Sequence, residues 1–250
     1  DESGVYVNEN FAMGSVRLSI QDIKTGGMPL SNEHGNLWIV FNGEIFNFIE
    51  LREELLKKGH TFHTTGDTEV IVHLYQEYGT DFLNKLNGQF AIAIWDKSKR
   101  ELLLARDRIG IRPLYFFNKN GEFLFSSEIK SFLEYPDFKF EISPKVISQY
   151  FTFWTSINNE TIFKDIYQLP PGSFMIVNDR EVKIQNFWEI PIMNPLEGNQ
   201  KNIDVCSEEL DALLEDSVRI RLRADVPVAA YLSGGLDSTI TTSYIHNINK

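Results

Sequence analysis

Two short stretches of the sequence combine residue types that can bind and activate small molecules. The first is "FNGEIFN", residues 41–47. An Asn-Gly pair at a strand end supplies a side-chain amide and a backbone N–H in one place. Those are the two donors of an oxyanion hole, which makes Asn42 and Gly43 candidates for that role. Glu44 beside them suits an α-ammonium group. Arg17, in "VRLSI", carries a planar fork that can take a carboxylate through two parallel hydrogen bonds. Asp67, in "TTGDTEVI", stands where a helical pattern begins and could hold an ammonium. Each residue alone has a plainer reading: Asn-Gly as a turn, Arg17 as a surface charge, Asp67 as a helix N-cap.

The second stretch is "SGGLDS", residues 233–238. It lacks the Gly-Lys-Ser/Thr ending of a Walker A loop and is not G-x-G-x-x-G. It can still cradle phosphate. Gly234 and Gly235 let the backbone turn tightly and expose N–H groups, Ser233 and Ser238 add hydroxyls, and a following helix presents the positive end of its dipole. Asp237 is out of place beside phosphates unless it holds a metal ion there. Other charged residues read differently. His60, His63 and His73 show no convincing helical ligand spacing and are expected at the surface or at helix ends. Arg106, Asp107 and Arg108 are expected to pair within the fold rather than to do chemistry.

These residues need elements to position them. "LWIVFNGEIFNF" (37–48) opens as a buried strand and turns at Asn42-Gly43. Three hairpins follow, over 88–107, 113–128 with Asn120-Gly121 at its tip, and 172–190. Hairpins in series imply antiparallel sheet. "NFIELREELLKKGH" places Ile49, Leu51, Leu55 and Leu56 mostly along one helical face, with Gly59 past its end. Residues 66–86 read as a helix, a stop at Gly79 and a second short helix. Helices covering antiparallel sheet make an α+β sandwich over 1–190. Residues 191–206 are polar, with two prolines, and read as a linker. From Ser207, a plausible N-cap, an amphipathic helix runs to the basic end at Arg219–Arg223. The strand "VPVAAYL", the Gly-rich loop and another helix follow, which is how a parallel α/β domain begins.

The net charge of −11 without a Lys/Arg block disfavours nucleic-acid binding. No apolar run approaches the roughly 18 residues of a spanning helix, and no signal-peptide pattern is evident. One cysteine, Cys206, excludes an internal disulfide. The expectation is a cytoplasmic protein with no membrane or nucleic-acid partner.

Taken together and in order, "RLSIQD", "NGEIFN", "TTGDTEVI", "LNGQFAIAIWD", "ARDRIGIRPLYF", "FSSEIKSFL" and "IYQLPPGSFMIV" resemble the class II glutamine amidotransferase domain of the glutamine-hydrolysing asparagine synthetases. The "SGGLDS" loop resembles the pyrophosphate-binding (PP) loop of ATP pyrophosphatases. The resemblance runs from Gly4 to the end of the chain. It implies a four-layer αββα N-terminal-nucleophile (Ntn) hydrolase sandwich, then the first elements of a PP-loop ATP pyrophosphatase domain over 207–250. Arg17, Leu18 and Ile20 would line a glutamine pocket, with Arg17 on the carboxylate. Asn42 and Gly43 would form the oxyanion hole, while Glu44 and Asp67 hold the amine. Leu232, Ser233, Gly234, Gly235, Asp237 and Ser238 would bind ATP, with Mg²⁺ on Asp237. Glutamine, aspartate and ATP are the implied substrates, and a homodimer is one open option for assembly.

The sequence departs from the family in three ways. The family begins Cys-Gly-Ile with an "RRGPD" segment further on, and "DESGVY" resembles the stretch just after it. The nucleophilic cysteine is therefore expected to be missing here, and Cys206 is no substitute. The synthetase domain is expected to stop after its first helix. Ser15 and Val16 stand where basic or polar residues are more usual. A β-lactam synthetase-like enzyme, another acceptor, or a non-catalytic glutamine-binding module are the alternatives.

Overall fold

The computed structural model describes residues 2–136, 138–192 and 202–249. In chain order the elements are β1 (Glu2–Asn8), β2 (Phe11–Arg17), β3 (Leu30–Ser31), β4 (Leu37–Ile45), α1 (Phe48–Lys57), α2 (Asp67–Tyr78), β5 (Gly88–Asp96) and β6 (Glu101–Arg106). Then come β7 (Tyr115–Lys119), β8 (Glu122–Ser126), α3 (Pro144–Phe153), β9 (Ile166–Gln168), β10 (Ser173–Val177), β11 (Val182–Asn186), α4 (Ile203–Arg221) and α5 (Leu236–Ile248).

A six-stranded antiparallel sheet in the order β11-β10-β6-β5-β4-β3 forms the centre. Its middle strands read as continuous apolar runs because both faces are buried. Ile39, Phe41, Ile45, Phe90, Ile92, Ile94 and Leu103 share one core with Leu51 and Leu55 of α1 and Val70, Ile71 and Leu74 of α2. Val40, Ala91, Ala93, Leu102 and Leu104 face a second core with Met13 of β2, Leu114, Phe116 of β7 and Leu169. The second layer of sheet is therefore the β1–β2 hairpin together with the three strands β8-β7-β9. Beyond it, Phe117 of β7 meets Phe138 edge-on at 5.1 Å, and Phe138 lies 5.9 Å from Phe132 in the 3-10 helix Ile129–Glu134. Helices, sheet, sheet and helical segments follow one another as the four-layer expectation requires. Full burial of each large core side chain contributes roughly 1.5–3 kcal/mol.

All three expected hairpins form, and Asn120-Gly121 is a tight tip with φ of 57° and 81°. Other expectations need correction. Asn42-Gly43 is not a turn: β4 runs through it, with Asn42 opposite Ala91 and Gly43 opposite Phe90. On α1 only Leu51 and Leu55 are buried, because Ile49 and Leu56 lie off that i, i+4 stripe and are exposed. The second short helix expected near Gly79 does form, as the 3-10 helix Gly79–Lys85. The segment 226–232 forms no strand, since the described residues include no neighbour to pair with it. Helix α4 opens at Ile203, capped by the Asn202 side chain on Asp204 N at 3.1 Å, so Ser207 and Cys206 lie inside it. Most of the expected linker, 193–201, falls outside the described residues.

Candidate functional site

At the end of β4 the sheet gives way to a cavity of about 760 Å³, and Arg17, Leu18, Ile20, Asn42, Gly43, Glu44 and Asp67 all line it. The backbone creates this meeting point. Gly43 packs so closely on β5 that a Cβ there would overlap Gln89 O and crowd Phe90 Cα at 2.8 Å. Only glycine permits that approach. Asn42 directs one amide hydrogen to Ser127 Oγ at 3.2 Å, and its NH₂ group keeps a second. Asp67 is the first residue of α2, with Gly66 as N-cap, and its Oδ2 accepts from Ile45 N at 2.9 Å. The expectation that Asp67 stands at a helix start holds, but it does not cap that helix. It ties α2 to the end of β4.

Arg17 closes β2. Its Nη2 donates to the carbonyls of Gln21 and of Asp22, the latter at 3.1 Å, and its Nη1 lies 3.8 Å from Glu2 Oε2. That Nη1 is buried without a hydrogen-bond acceptor. Glu44 Oε2 is likewise buried without a donor. An unmet cationic donor and an unmet carboxylate oxygen thus line one cavity. Such groups carry a desolvation cost that a complementary ligand would offset.

The electrostatics agree. Burial pushes the Glu44 carboxyl up to about 7, Asp67 adds to the shift, and Arg112 and Arg17 oppose it. Burial raises Asp67 to about 6 against the hydrogen bond from Ile45. A cationic group placed between these acids would favour their ionised forms.

The residues behind the cavity hold it still. Asp22, at φ 46°, accepts from Thr25, from Thr65 N at 3.0 Å and from Gly66 N at 3.2 Å. Burial works against its charge, yet the bonds from Thr25, Thr65 and Gly66 keep its carboxyl below the usual range. Arg106 and Asp107 are structural, as expected, but they bond backbone rather than each other. Arg106 donates to the carbonyls of Gly110, Arg112 and Leu169, and Asp107 accepts from the amides of Phe90, Ile109, Ile111 and Arg112. Arg108 reaches the Leu86 and Asn84 carbonyls. Together they shape the loop that brings Arg112 to the cavity. Sequence reasoning missed Arg112 and Ser127, although "ARDRIGIRP" held the signal for the first. Cys206 is exposed on α4 and does not line the cavity.

The residues 232–238 are arranged otherwise. Leu232, Gly235, Asp237 and their neighbours are exposed. Ser233 Oγ lies 3.0 Å from Ser238 Oγ and 3.4 Å from Gly235 N. Gly234 has φ 83° with open space where a Cβ would point, and no side chain caps the first turn of α5. Of the histidines, His63 is exposed and His60 follows the end of α1, as expected, but His73 departs from expectation. His73 is fully buried and its Nδ1 lies 3.1 Å from Nδ1 of His60, while His63 stays apart.

Comparison with known proteins follows the same division. The glutamine amidotransferase domain family matches residues 1–188, and the asparagine synthase family matches residues 209–250. Asparagine synthetase [glutamine-hydrolyzing] 1 of Bacillus subtilis is 38% identical over 244 residues, covering 97% of this chain and 38% of the relative. The putative asparagine synthetase [glutamine-hydrolyzing] 2 of Methanocaldococcus jannaschii is 34% identical over 262 residues, covering 96% and 50%. Amidase chry2 of Gibberella zeae is 34% identical, covering 97% and 36%. The chain thus spans half or less of the length of these relatives. Among solved structures, glutamine phosphoribosylpyrophosphate amidotransferase from B. subtilis aligns with TM-score 0.51 and 22% identity over 94% of this chain and 50% of that one, a likeness of fold. On the match over residues 1–188, this chain belongs to the glutamine amidotransferase domain family.

Proposed function

We propose that the cavity binds glutamine. The observation that carries this reading is the pair of unmet buried groups, Arg17 Nη1 and Glu44 Oε2, lining one cavity with Asn42 and Gly43. An amino acid brings the missing partners: its carboxylate for Arg17 and its ammonium for Glu44 and Asp67. The side-chain amide is then left for Asn42 and Gly43, whose donors suit the oxygen that gains charge when an amide carbon is attacked. Leu18 and Ile20 form part of the mouth. The described lining residues include no thiol, so a preparation beginning at Asp1 is expected to bind glutamine without releasing ammonia. Calorimetric titration of the full chain with glutamine, and with the same amide lacking its α-amine, tests the reading. Glutamine should bind and the des-amino amide should bind at least about tenfold more weakly, as one lost charge-assisted hydrogen bond requires. Equal affinities would end this assignment.

The wider reaction is read from the relatives' printed names together with the second region. It is transfer of glutamine nitrogen to a carboxylate activated with ATP, with aspartate as acceptor and asparagine as product. The 232–238 loop fits a phosphate group. Its N–H groups at the uncapped start of α5, Gly234 at φ 83° with open space beside it, and the hydroxyls of Ser233 and Ser238 suit phosphate oxygens. Asp237 in the first turn of α5 suits Mg²⁺, which commonly takes one or two carboxylates alongside phosphate oxygens. Bound there, ATP would supply the adenylyl group that makes a carboxylate reactive. This chain's part is to orient the phosphates.

A further inference from the structure

Outside the residues that line the cavity, two histidines and three glutamates come together from separate elements along α2. Glu33 sits on the turn between β3 and β4, His60 follows α1, and Glu69, His73 and Glu77 belong to α2. His60 Nδ1 and His73 Nδ1 face each other at 3.1 Å, with their rings inclined at 54°. Glu33 Oε2 is 3.6 Å from the same His73 Nδ1. His60 Nε2 lies 2.9 Å from Glu77 Oε1, and His73 Nε2 lies 3.7 Å from Glu69 Oε1.

Counting protons shows that two neutral histidines do not satisfy this arrangement. A carboxylate only accepts, so Glu77 requires the proton of His60 on Nε2, which leaves His60 Nδ1 as a bare lone pair. Were His73 to donate its single proton from Nδ1 to His60, its Nε2 lone pair would point at the Glu69 carboxylate in a site where that nitrogen is already buried without a partner. Were the proton on Nε2 instead, two Nδ1 lone pairs would oppose each other at 3.1 Å. Either arrangement lacks one positive charge. Three carboxylates surround the pair, with Lys58 3.0 Å from Glu77 Oε2 and His34 Nε2 3.8 Å from Glu33 Oε1.

We propose that Glu33, His60 and His73 form a binding site for one divalent transition-metal ion of the Zn²⁺ type. Donors on a tetrahedral Zn²⁺ at about 2.0–2.1 Å stand roughly 3.3–3.4 Å apart. The 3.1 Å and 3.6 Å edges bracket that value, and the three ligand atoms all lie within 4.8 Å of one another. Glu77 then holds the outer nitrogen of His60 at 2.9 Å, the carboxylate–histidine–metal arrangement that fixes ring orientation and strengthens the ligand, and Glu69 stands 3.7 Å from the outer nitrogen of His73. Glu33 is exposed, which gives the ion access, while His73 is fully buried. The bound ion would pin the β3–β4 turn and the α1–α2 connection to the helix whose first residue is Asp67.

The test strips the full chain with a chelator and titrates it with Zn²⁺ against a chromophoric competitor, following melting temperature in parallel. One Zn²⁺ per chain should bind and raise the melting temperature, and Co²⁺ in its place should give the strong visible absorption of a tetrahedral site. Glu33→Gln, Glu77→Gln and His60→Gln should each weaken Zn²⁺ binding by about 10–100-fold, and His246→Gln on α5 should not. Glu33→Gln changes an exposed loop residue, so it decides the matter even where His60→Gln fails to fold. No stoichiometric Zn²⁺ up to about 100 μM, or equal affinity for wild type and Glu33→Gln, would overturn the site and leave a proton shared between the histidines in its place.

Discussion

The two Gly-bearing stretches with chemical potential, 42–44 and 233–238, both follow apolar sequence, yet the fold treats them in opposite ways. Around Gly43 three distant segments converge, and side chains from β2, β4 and α2 line one cavity with two buried polar atoms unmet. Around Gly234 there is open space, and the hydroxyls of Ser233 and Ser238 face mainly each other. A site is made by what a fold brings up against a motif. The first motif has its surroundings within this chain, and the second does not have them among the described residues.

Substituting the glycines should expose that difference most strongly. At Gly43 a methyl group would overlap Gln89 O, so Gly43→Ala should destabilise the chain by about 3 kcal/mol or more, because β4 and β5 must part. At Gly235 a methyl group meets nothing nearer than Ser233 Oγ at 3.5 Å, and Gly235→Ala should stay within about 0.5 kcal/mol. Urea unfolding of both variants checks the pair. A Gly43→Ala protein of wild-type stability would mean that the tight β4–β5 approach is not what shapes the cavity.

The next effect concerns binding. Removing the Arg17 guanidinium in Arg17→Met should weaken glutamine by about 100-fold, as expected for loss of the charge-assisted hydrogen bonding offered by Nη1, worth about 1.5–3 kcal/mol. Asp237→Asn should leave glutamine affinity unchanged. Titration calorimetry on the two variants would show whether the exposed loop has any share in amino-acid binding.

Acidity gives a third, smaller effect with a definite sign. Glu44 and Asp67 are raised to about 7 and about 6, above the ordinary values of 4.5 and 3.8. The folded chain therefore binds these protons more tightly than the unfolded chain. Stability from the neutral carboxyls is fully present below about pH 4 and declines as pH rises through 6 and 7. Glutamine affinity should run the other way and strengthen over the same window, because the ammonium needs ionised partners. Glu44→Gln should remove about half of the decline and be more stable than wild type by about 1 kcal/mol at pH 8, after allowance for solvent screening. Melting curves from pH 4 to pH 8 decide this, and a Glu44→Gln curve parallel to wild type would show that Glu44 is solvated.

The contrast also explains what could be read from the sequence. The strands β4, β5 and β6 and the three hairpins were legible because their apolar runs and turn residues are local signals. Asn-Gly shows where such signals stop. At 120–121 it is a hairpin tip, while at 42–43 it is paired strand, and only the distant partners Ala91 and Phe90 distinguish the two. The run "VPVAAYL" has strand composition but no partner strand among the described residues. Arg112 and Ser127 reach the cavity through loops that other buried residues build, and His60 meets His73 through the α1–α2 connection. None of these meetings has a periodicity to reveal it. Arg17, Asn42, Gly43, Glu44 and Asp67 stood out by residue type, whereas Leu18 and Ile20 came only with the family resemblance; all seven line the cavity.

The smallest expected effect tests whether the two regions communicate at all. Past α4, the chain returns to the edge of the cavity. Arg223 Nη2 donates to Glu50 Oε1 at 2.5 Å, Gln21 Nε2 donates to Arg223 O at 3.0 Å, and Asp225 Oδ2 accepts from Asp22 N at 2.7 Å. The Arg223 hydrogen bond holds Glu50 down at about 2. Since Gln21 and Asp22 supply the carbonyls that position the Arg17 guanidinium, a change at Asp225 can reach the cavity without touching it. Asp225→Ala frees one backbone amide at a partly buried site, where water takes up much of the lost bond, so the stability loss should stay near 1 kcal/mol. Glutamine affinity should fall only about two- to threefold, with a larger effect than in Arg223→Ala, whose ion pair with Glu50 sits at the surface. Titration of both variants separates the cases. If Asp225→Ala binds glutamine as wild type does while losing stability, the 223–225 segment is packing alone, and the pocket and the loop are independent parts of one chain.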